Sequence, residues 1–511
     1  MLKVFGGGGG GAAHPLADEK ERNRVLREVA GLESNRALEE LARWLRSTAG
    51  DVGLRPETKA GIVRSLEAAG RAPMRMLGRE YLATARLSKA QEAHLWGAIH
   101  AFCAAAAYGY LRCAAAIAPD ARAAAEQKSR IVPLSVHALR ALGTQLKWEQ
   151  MRYGPVDPGI WAELARLYAR LEAARVAHVA VREFPGSPSR ITPEQEFVRI
   201  AMFSVCSPGS LLPVQIEIAD RLATRFARWF RVASHPSANT PYRIDLDQGS
   251  PPARCVGEIH EGPAVRFFGA DASHDRLLAL REEIASLGDA PQDLAPNEPA
   301  SAAAVIEVID HLAHYWAPRL ASRKHPRHGI KSRLTVAWGF DGVIDALDPL
   351  ASLSFEKAAM ESWIVENASA GGVGALVPAI PGEWLQVGCL VAMQPEGGKN
   401  WLLGTVKRLT RIDESSAQVG IQTLARSPTA VDFRVQAGNA TTLRAETGVL
   451  LDPGYTEAEV PVVLRAQTSE PGRTLVLERD GRRTQLVPIA VTMRGPDYEV
   501  VRCRQMVRSE G

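Results

Sequence analysis

The spacing of apolar residues changes along this chain, and that change constrains the fold more than any other feature. From Asp18 to about Val232, apolar residues recur every three to four positions, so that Leu38, Leu41 and Leu45 share one helix face. In the last third of the chain, short runs alternate apolar and polar residues, which is the period of a half-buried strand. The sequence therefore predicts a multidomain α plus β protein, with an N-terminal all-α helical bundle followed by antiparallel β structure.

Proline- and glycine-rich stretches divide the chain into five predicted segments. Breaks such as Gly70–Pro73 and Pro133 predict about seven to nine helices in the bundle. The C-terminal strands form either a second small β domain, which we prefer, or an extension of the first barrel. The segments are 1–17, glycine-rich and disordered; 18–235, the helical domain; 236–300, a small α+β segment and linker; 301–425, a β-barrel with a lead-in helix; and 426–511, a C-terminal β domain.

The composition excludes several classes of function. Of the 511 residues, 46% are apolar and 23% are charged, which is ordinary for a globular protein of about three domains. The formal net charge of +4 is small for this length, so no general attraction to nucleic acid follows. The six cysteines show no Cys-x-x-Cys spacing, which predicts buried thiols in a reducing compartment instead of disulfides or a metal cluster.

Neither a secretion signal nor a transmembrane helix is predicted. Six glycines stand near the N-terminus, where a signal peptide needs an apolar core. The most membrane-like run, Ala101 to Ala118, is mostly alanine and contains Arg112, so a buried helix is the preferred interpretation. We therefore expect a cytoplasmic protein with no membrane span.

The sharpest charge asymmetry lies between Asp310 and Asp341. Six acidic residues occur from Asp341 to Glu366, and two interpretations of them stay open: a solvated loop, or an insert that pairs with the preceding basic segment until a ligand displaces it. The stretch between the two aspartates has no acidic residue and is locally electropositive. Its basic residues are Arg319, Arg323, Lys324, Arg327, Lys331 and Arg333.

Two motifs flank a strand-like run and the acidic insert. The first is "RKHPR", with Arg323 and Arg327, and the second is "NASAGG", with Asn367 and Ser369, between strand-like runs. In this order the motifs resemble the PilZ family, small β-barrels whose members commonly bind the bacterial second messenger cyclic di-GMP. The later alternations "NWLLGTVKRL" and "AQVGIQTL" resemble the closing strands of that barrel. The separation of Arg327 and Asn367 is long for the family and predicts an inserted loop or short helix within residues 339–362.

The resemblance implies a role for each residue of the two motifs. Arg323 and Arg327 would bind guanine and phosphate, because a guanidinium pairs bidentately with either group and stacks on an aromatic ring. The side chains of Asn367 and Ser369 would form hydrogen bonds with a guanine edge. The remaining predicted site residues shape the turn and allow a close approach of the ligand. They are Gly372 and Gly374.

Other chemistry receives little support from the sequence. His311 and His314 lie one helical turn apart, but no carboxylate or thiol completes a metal-binding set near them. Glu366 is the only carboxylate beside the predicted pocket, and one carboxylate does not form an acid–base pair. We therefore predict a binding protein that is not an enzyme and holds no metal or cofactor.

Three hypotheses for function follow. The first is a cyclic di-GMP receptor whose helical region provides the output by binding a protein partner. The second is a non-catalytic scaffold with a degenerate PilZ barrel that binds no nucleotide. The third is nucleic-acid binding through the basic segment, which is disfavoured because only Trp316 and Trp338 accompany it as stacking groups.

Overall fold

The chain folds into two compact units. A computed structural model shows that the described residues of the first unit lie within 1–152, 156–208 and 213–321, and those of the second within 153–155, 209–212 and 322–511. The structure describes residues 14–83, 87–116, 125–182, 189–295, 301–320, 326–348, 360–380, 384–437, 444–451, 459–468, 473–479 and 482–506.

The first unit is helical, as the apolar spacing predicted. Its helix α4 packs against α2, α3 and α5, and α5 also contacts α6, α7 and α8. The predicted helix after residue 300 is α10, which belongs to this unit. The helices are α1 (Glu19–Ala30), α2 (Ser34–Gly50), α3 (Pro56–Ala83), α4 (Lys89–Ala116), α5 (Ala125–Met151), α6 (Pro158–Ala173), α7 (Pro193–Val205), α8 (Pro213–Phe226), α9 (Ala272–Leu287) and α10 (Ala302–Trp316).

Short strands complete the first unit. A two-stranded sheet pairs β1 with β2, and a four-stranded sheet has the order β3-β6-β4-β5. Two of these strands, β4 and β6, coincide with the predicted strand segments "YRIDL" and "AVRFF". The strands are β1 (Val181–Arg182), β2 (Arg190–Ile191), β3 (Arg231–Ala233), β4 (Tyr242–Asp245), β5 (Ala253–Arg254) and β6 (Val265–Gly269).

Two predicted helix breaks are wrong. Helix α3 continues through Gly70 and Pro73, and α5 continues through Pro133. Gly70 is required by packing and does not end the helix, because a Cβ atom there would lie 2.1 Å from the ring of Phe102 in α4. The close approach of α3 and α4 buries apolar residues on both sides of Pro73, including Leu66 and Leu77. This burial offsets the backbone hydrogen bond that is lost at the proline.

The ordered chain begins earlier than the glycine-rich composition predicted. Most of the predicted disordered segment lies outside the described residues, but Pro15–Ala17 form a 3₁₀ turn in which Leu16 is fully buried. The alanine-rich run enters α4 as a buried helix, in agreement with the prediction. Within the described ranges, no helix combines the length and hydrophobicity needed to cross a bilayer.

The second unit contains two closed antiparallel barrels of six strands each. The first has the strand order β10-β11-β12-β9-β8-β7, and the second has the order β13-β14-β15-β18-β17-β16. A helix, α11 (Gly339–Leu347), follows β7 and lies within the predicted insert. The strands are β7 (His328–Trp338), β8 (Glu361–Ser369), β9 (Gly372–Val377), β10 (Leu390–Pro395), β11 (Leu402–Arg411), β12 (Ala417–Ala425), β13 (Thr429–Ala437), β14 (Arg444–Leu450), β15 (Glu459–Arg465), β16 (Arg473–Arg479), β17 (Arg482–Arg494) and β18 (Tyr498–Met506).

The two barrels share an apolar interface and form one unit. Phe340 and Val343 of α11 pack in a cluster with residues of both barrels, including Leu403 and Tyr498. The Tyr498 hydroxyl donates a hydrogen bond to Thr405 Oγ1 at 3.0 Å, which links the second barrel to the first. The strands after residue 426 close a barrel of their own and do not extend the first one, and this second barrel is packed against its neighbour.

A partly buried carboxylate lies among the tryptophans of the first barrel. The indole nitrogens of Trp363 and Trp384 donate hydrogen bonds to the two oxygens of Glu361, at 2.9 and 3.2 Å. Trp338 stacks on Trp384 with ring centroids 4.6 Å apart. Burial raises the pKa of Glu361, although the two indole donors oppose the rise. Because the folded state holds this proton more tightly than the unfolded chain, the carboxyl stabilises the fold at acid pH, and that stabilisation is lost as the pH rises.

We expect the tryptophan fluorescence of the protein to change in a titration whose midpoint lies above the pKa of an exposed glutamate. Glu361→Gln should abolish this transition, because the amide cannot ionise between the two indoles. Glu414→Gln, at an exposed glutamate between β11 and β12, is the control and should leave the transition in place. A transition that persists in Glu361→Gln would show that another group causes it.

Candidate ligand-binding site

Strand pairing in the first barrel brings the second sequence motif together on one face. Asn367 of β8 pairs with Gly374 of β9, and Ser369 pairs with Gly372. On the other side of β8, Asn367 pairs with Gly329 of β7. Directly opposite residues in antiparallel strands project to the same face of a sheet, so Asn367 and Gly374 share a face, as do Ser369 and Gly372.

A β-bulge turns Asn367 to the outside of the barrel. Trp363 and Val365 of β8 are buried in the barrel core, and simple alternation would place Asn367 in the core with them. The pairing shifts between Val365 and Asn367, so that Glu366 is an extra residue without a partner on β9. The extra residue reverses the alternation, and Asn367 then projects outward beside Gly374.

Arg327 lies at the edge of the same site, whereas Arg323 is outside the described residues. His328 pairs with Ala368, so extension of the ladder by one residue places the backbone of Arg327 level with Ser369. Arg327 is exposed. The structure thus brings together Arg327, Asn367 and Ser369 among the predicted site residues.

The two predicted site glycines on β9 have different physical roles. A Cβ atom at Gly372 would lie 2.2 Å from the backbone oxygen of Ile421 on β12, so the barrel itself requires glycine there. A Cβ atom at Gly374 would lie 2.8 Å from Oδ1 and Nδ2 of Asn367, so glycine leaves room for that amide. Gly372 is therefore needed for strand packing, and Gly374 for the placement of a site side chain.

We expect alanine at these two glycines to have separable effects. Gly372→Ala should destabilise the first barrel by about 1–3 kcal/mol, because the clash is with backbone and a strand has to move. Gly374→Ala should have a smaller effect on stability, because the end of the Asn367 side chain can rotate away. It should nevertheless weaken ligand binding, since the amide leaves its position. Thermal unfolding and calorimetric titration of both variants check this, and equal losses of stability would contradict it.

Hydrogen bonds fix part of the turn between β8 and β9. The Ser369 hydroxyl donates to the backbone oxygen of Gly372 at 3.3 Å, and Arg426 donates to the backbone oxygen of Ala370 at 3.1 Å. By contrast, Oδ1 of Asn367 is buried and accepts no hydrogen bond from any described residue. An unsatisfied buried acceptor costs about 1–3 kcal/mol, so a donor supplied by a ligand would stabilise this position.

The site continues across two more strands, which the sequence interpretation missed. Gly374 pairs with Gly420 of β12, and Gly420 pairs with Arg408 of β11. Asn367, Gly374, Gly420 and Arg408 therefore form one row across four strands, which we call the glycine row. The isolated glycine in "AQVGIQTL" was a usable signal, because glycine inside a strand often marks a close approach of other groups.

Two of the acidic residues have partners outside the basic segment. Asp341 forms an ion pair with Arg465 of the second barrel, and the amide of Phe340 donates to Asp497 at 2.8 Å. Glu366 accepts hydrogen bonds from Gln418 at 3.3 Å. The described part of the insert thus anchors the second barrel, and the autoinhibitory interpretation is wrong for Asp341 and Glu366.

His311, one of the two neighbouring histidines, is held by a backbone contact. The Nε2 atom of His311 lies 2.6 Å from the backbone oxygen of Cys206, and burial lowers the pKa of this histidine. Across the described parts of the chain, no group of three or more histidine, cysteine, aspartate or glutamate side chains is arranged to hold a metal ion.

A comparison with protein families finds a match in the helical unit. Residues 20–237 match the family described as "Cyclic-di-GMP receptor FimW, N-terminal domain". The chain is similar to a cyclic-di-GMP receptor family with a helical N-terminal region. The FimW match begins inside α1 and ends after β3, and it does not include the barrels or the glycine row. No curated protein matches the sequence.

Proposed function

We propose that this protein is a cytoplasmic cyclic di-GMP receptor whose ligand binds on the outer face of the first barrel. The observation that supports the proposal is the pairing of β7 with β8, in which His328, next to Arg327, pairs with Ala368 between Asn367 and Ser369. The match of the helical unit to a cyclic-di-GMP receptor family supports the ligand independently, because that match lies outside the barrel. We further propose that this barrel is of the PilZ type.

The chemistry of the ligand fits these side chains. Cyclic di-GMP carries two phosphodiester anions and two guanines, each with O6 and N7 acceptors on one edge. The guanidinium of Arg327 donates a bidentate pair of hydrogen bonds to that edge or to a phosphate. Asn367 supplies an amide for the guanine edge, and Ser369 supplies a hydroxyl. In this proposal, Arg323 acts with Arg327 from the preceding segment.

The proposed output is the helical unit. Residues 317–327 connect α10 to β7, so the arginine pair lies in the chain segment that joins the two units. Ligand binding at the arginine pair would shift the population of conformations that a protein partner of the helical unit recognises. The receptor acts by binding and performs no catalysis.

Isothermal titration calorimetry of the full chain with cyclic di-GMP tests the proposal. We expect saturable binding at micromolar concentration or tighter, and weaker binding of cyclic di-AMP. The adenine edge presents an amino donor where guanine presents O6, so an arginine cannot pair bidentately with it. Absence of binding, or equal affinity for the two cyclic dinucleotides, would refute a guanine-reading site on this face and would favour the scaffold hypothesis.

A further inference from the structure

Arg408 is placed on the outer face of the first barrel by a second bulge. Val406 of β11 is buried in the barrel core and pairs with Ile421, whereas Arg408 pairs with Gly420. The pairing shifts between them, so that Lys407 is the extra residue. Without this extra residue, Arg408 would fall on the inward face with Val406. The bulge therefore has the same consequence for Arg408 as the bulge at Glu366 has for Asn367.

The two bulges act at the two ends of one row. Asn367 stands at one end of the glycine row and Arg408 at the other, with Gly374 and Gly420 between them. Three strand spacings of about 4.8 Å separate β8 from β11, which gives about 14 Å along the curved outer surface of the closed barrel. The two glycines have no side chains: the amide of Asn367 lies over Gly374, and backbone alone separates it from Arg408 at Gly420.

Arg408 is available for an anion. Its side chain is exposed, and no hydrogen bond or ion pair joins it to another side chain in the described parts of the chain. A Cβ atom at Gly420 would lie 3.4 Å from the Cβ of Arg408, so the two positions face the same side of the sheet. Gly420, which pairs with Arg408, has no side chain that could form a hydrogen bond with a base. At this end of the row the site therefore offers a positive charge and no second polar group for reading a base.

We propose that Arg408 is a further ligand-binding residue, which pairs with the phosphodiester of the cyclic dinucleotide that lies farther from Arg327. This inference rests on the proposed function. The site then binds its ligand at two ends: Arg327, Asn367 and Ser369 contact one guanine and phosphate, and Arg408 contacts the second phosphate across the glycine floor. A ligand with two phosphates fits this arrangement, whereas a mononucleotide reaches only one end.

Calorimetric titration of Arg408 variants with cyclic di-GMP, in the full chain, tests this inference. Arg408→Ala should weaken binding about tenfold, the loss expected for one charge-assisted contact. Arg408→Lys should retain most of the affinity, because lysine binds a phosphate as a point charge. Arg504→Ala, at an exposed arginine of β18 in the second barrel, is the matched control and should bind like the wild type.

Two further variants make the result decisive. Gly420→Val places a side chain on the floor and should also weaken binding, while thermal unfolding reports whether the barrel remains folded. In the double variant of Arg327→Ala and Arg408→Ala, the losses should multiply, since the two residues contact different ends of the ligand. Unchanged affinity in both Arg408→Ala and Gly420→Val, with binding lost in Arg327→Ala, would overturn the role of Arg408 alone. A wild type that binds no cyclic di-GMP would overturn the proposed function and this inference together.

Discussion

Arg327→Ala is expected to weaken the binding of cyclic di-GMP by about 5- to 150-fold, because a bidentate arginine contact contributes about 1–3 kcal/mol. Arg327 lies directly before β7, beside the end of β8 that carries Ser369. The substitution changes an exposed position outside the barrel core, so the thermal stability of the protein should stay close to that of the wild type. Calorimetric titration measures the affinity, and circular dichroism during heating measures the stability.

Arg327→Lys separates charge from geometry at this position. Lysine keeps the positive charge but lacks the planar fork, so we expect it to lose most of the affinity that alanine loses. Full affinity in the lysine variant would mean that Arg327 contributes only a general electrostatic attraction. Full affinity in the alanine variant would remove Arg327 from the site.

Lys147→Met should lower the free energy of unfolding of the helical unit by about 3–5 kcal/mol, the usual cost of removing one partner from a buried ion pair. Lys147 of α5 lies 2.7 Å from Glu217 and 3.0 Å from Asp220, both in α8. Arg199 of α7 reaches Asp220 at 2.6 Å, so the charges join three helices. Burial by itself raises the pKa of Asp220, but Lys147 and Arg199 hold it below its ordinary value. Without Lys147, Glu217 and Asp220 stay buried with less positive charge beside them.

Differential scanning calorimetry of the full chain measures this effect. In a unit of this size, each kcal/mol shifts the transition temperature by about 1.5 °C. Arg24→Met is the control, because Arg24 pairs with Glu21 and Glu28 on the exposed surface of α1, where ion pairs contribute little. If Lys147→Met and Arg24→Met shift the transition equally, the buried charges do not stabilise the helical unit more than surface charges do.

Much of the fold was predictable because the spacing of apolar residues in the sequence gives the period of the buried positions. The helical bundle and the strand-rich C-terminal half both follow from local patterns. The continuity of α3 through Pro73 was not predictable, since it depends on Phe102, a residue on another helix, packing against Gly70. Tertiary packing decided the outcome there against local propensity.

The candidate site was predictable only in part for the same reason. The motif at Asn367 and Ser369 is contiguous and visible, and the structure pairs it with Gly374 and Gly372. Its outward orientation depends on an extra residue, Glu366, and alternation from Val365 would have given the opposite face. Arg408 lies farther along the chain and joins the row through two strand pairings, which no local pattern specifies.

Hydrogen–deuterium exchange of the full chain, with and without saturating cyclic di-GMP, tests most directly whether the outer face of the first barrel is the binding site. We predict that the ligand slows exchange in peptides that cover residues 326–329, 366–374 and 406–420, and leaves exchange in β13 to β18 unchanged. Slower exchange confined to the second barrel or to α1–α8, with none in these three peptides, would contradict the placement of the site.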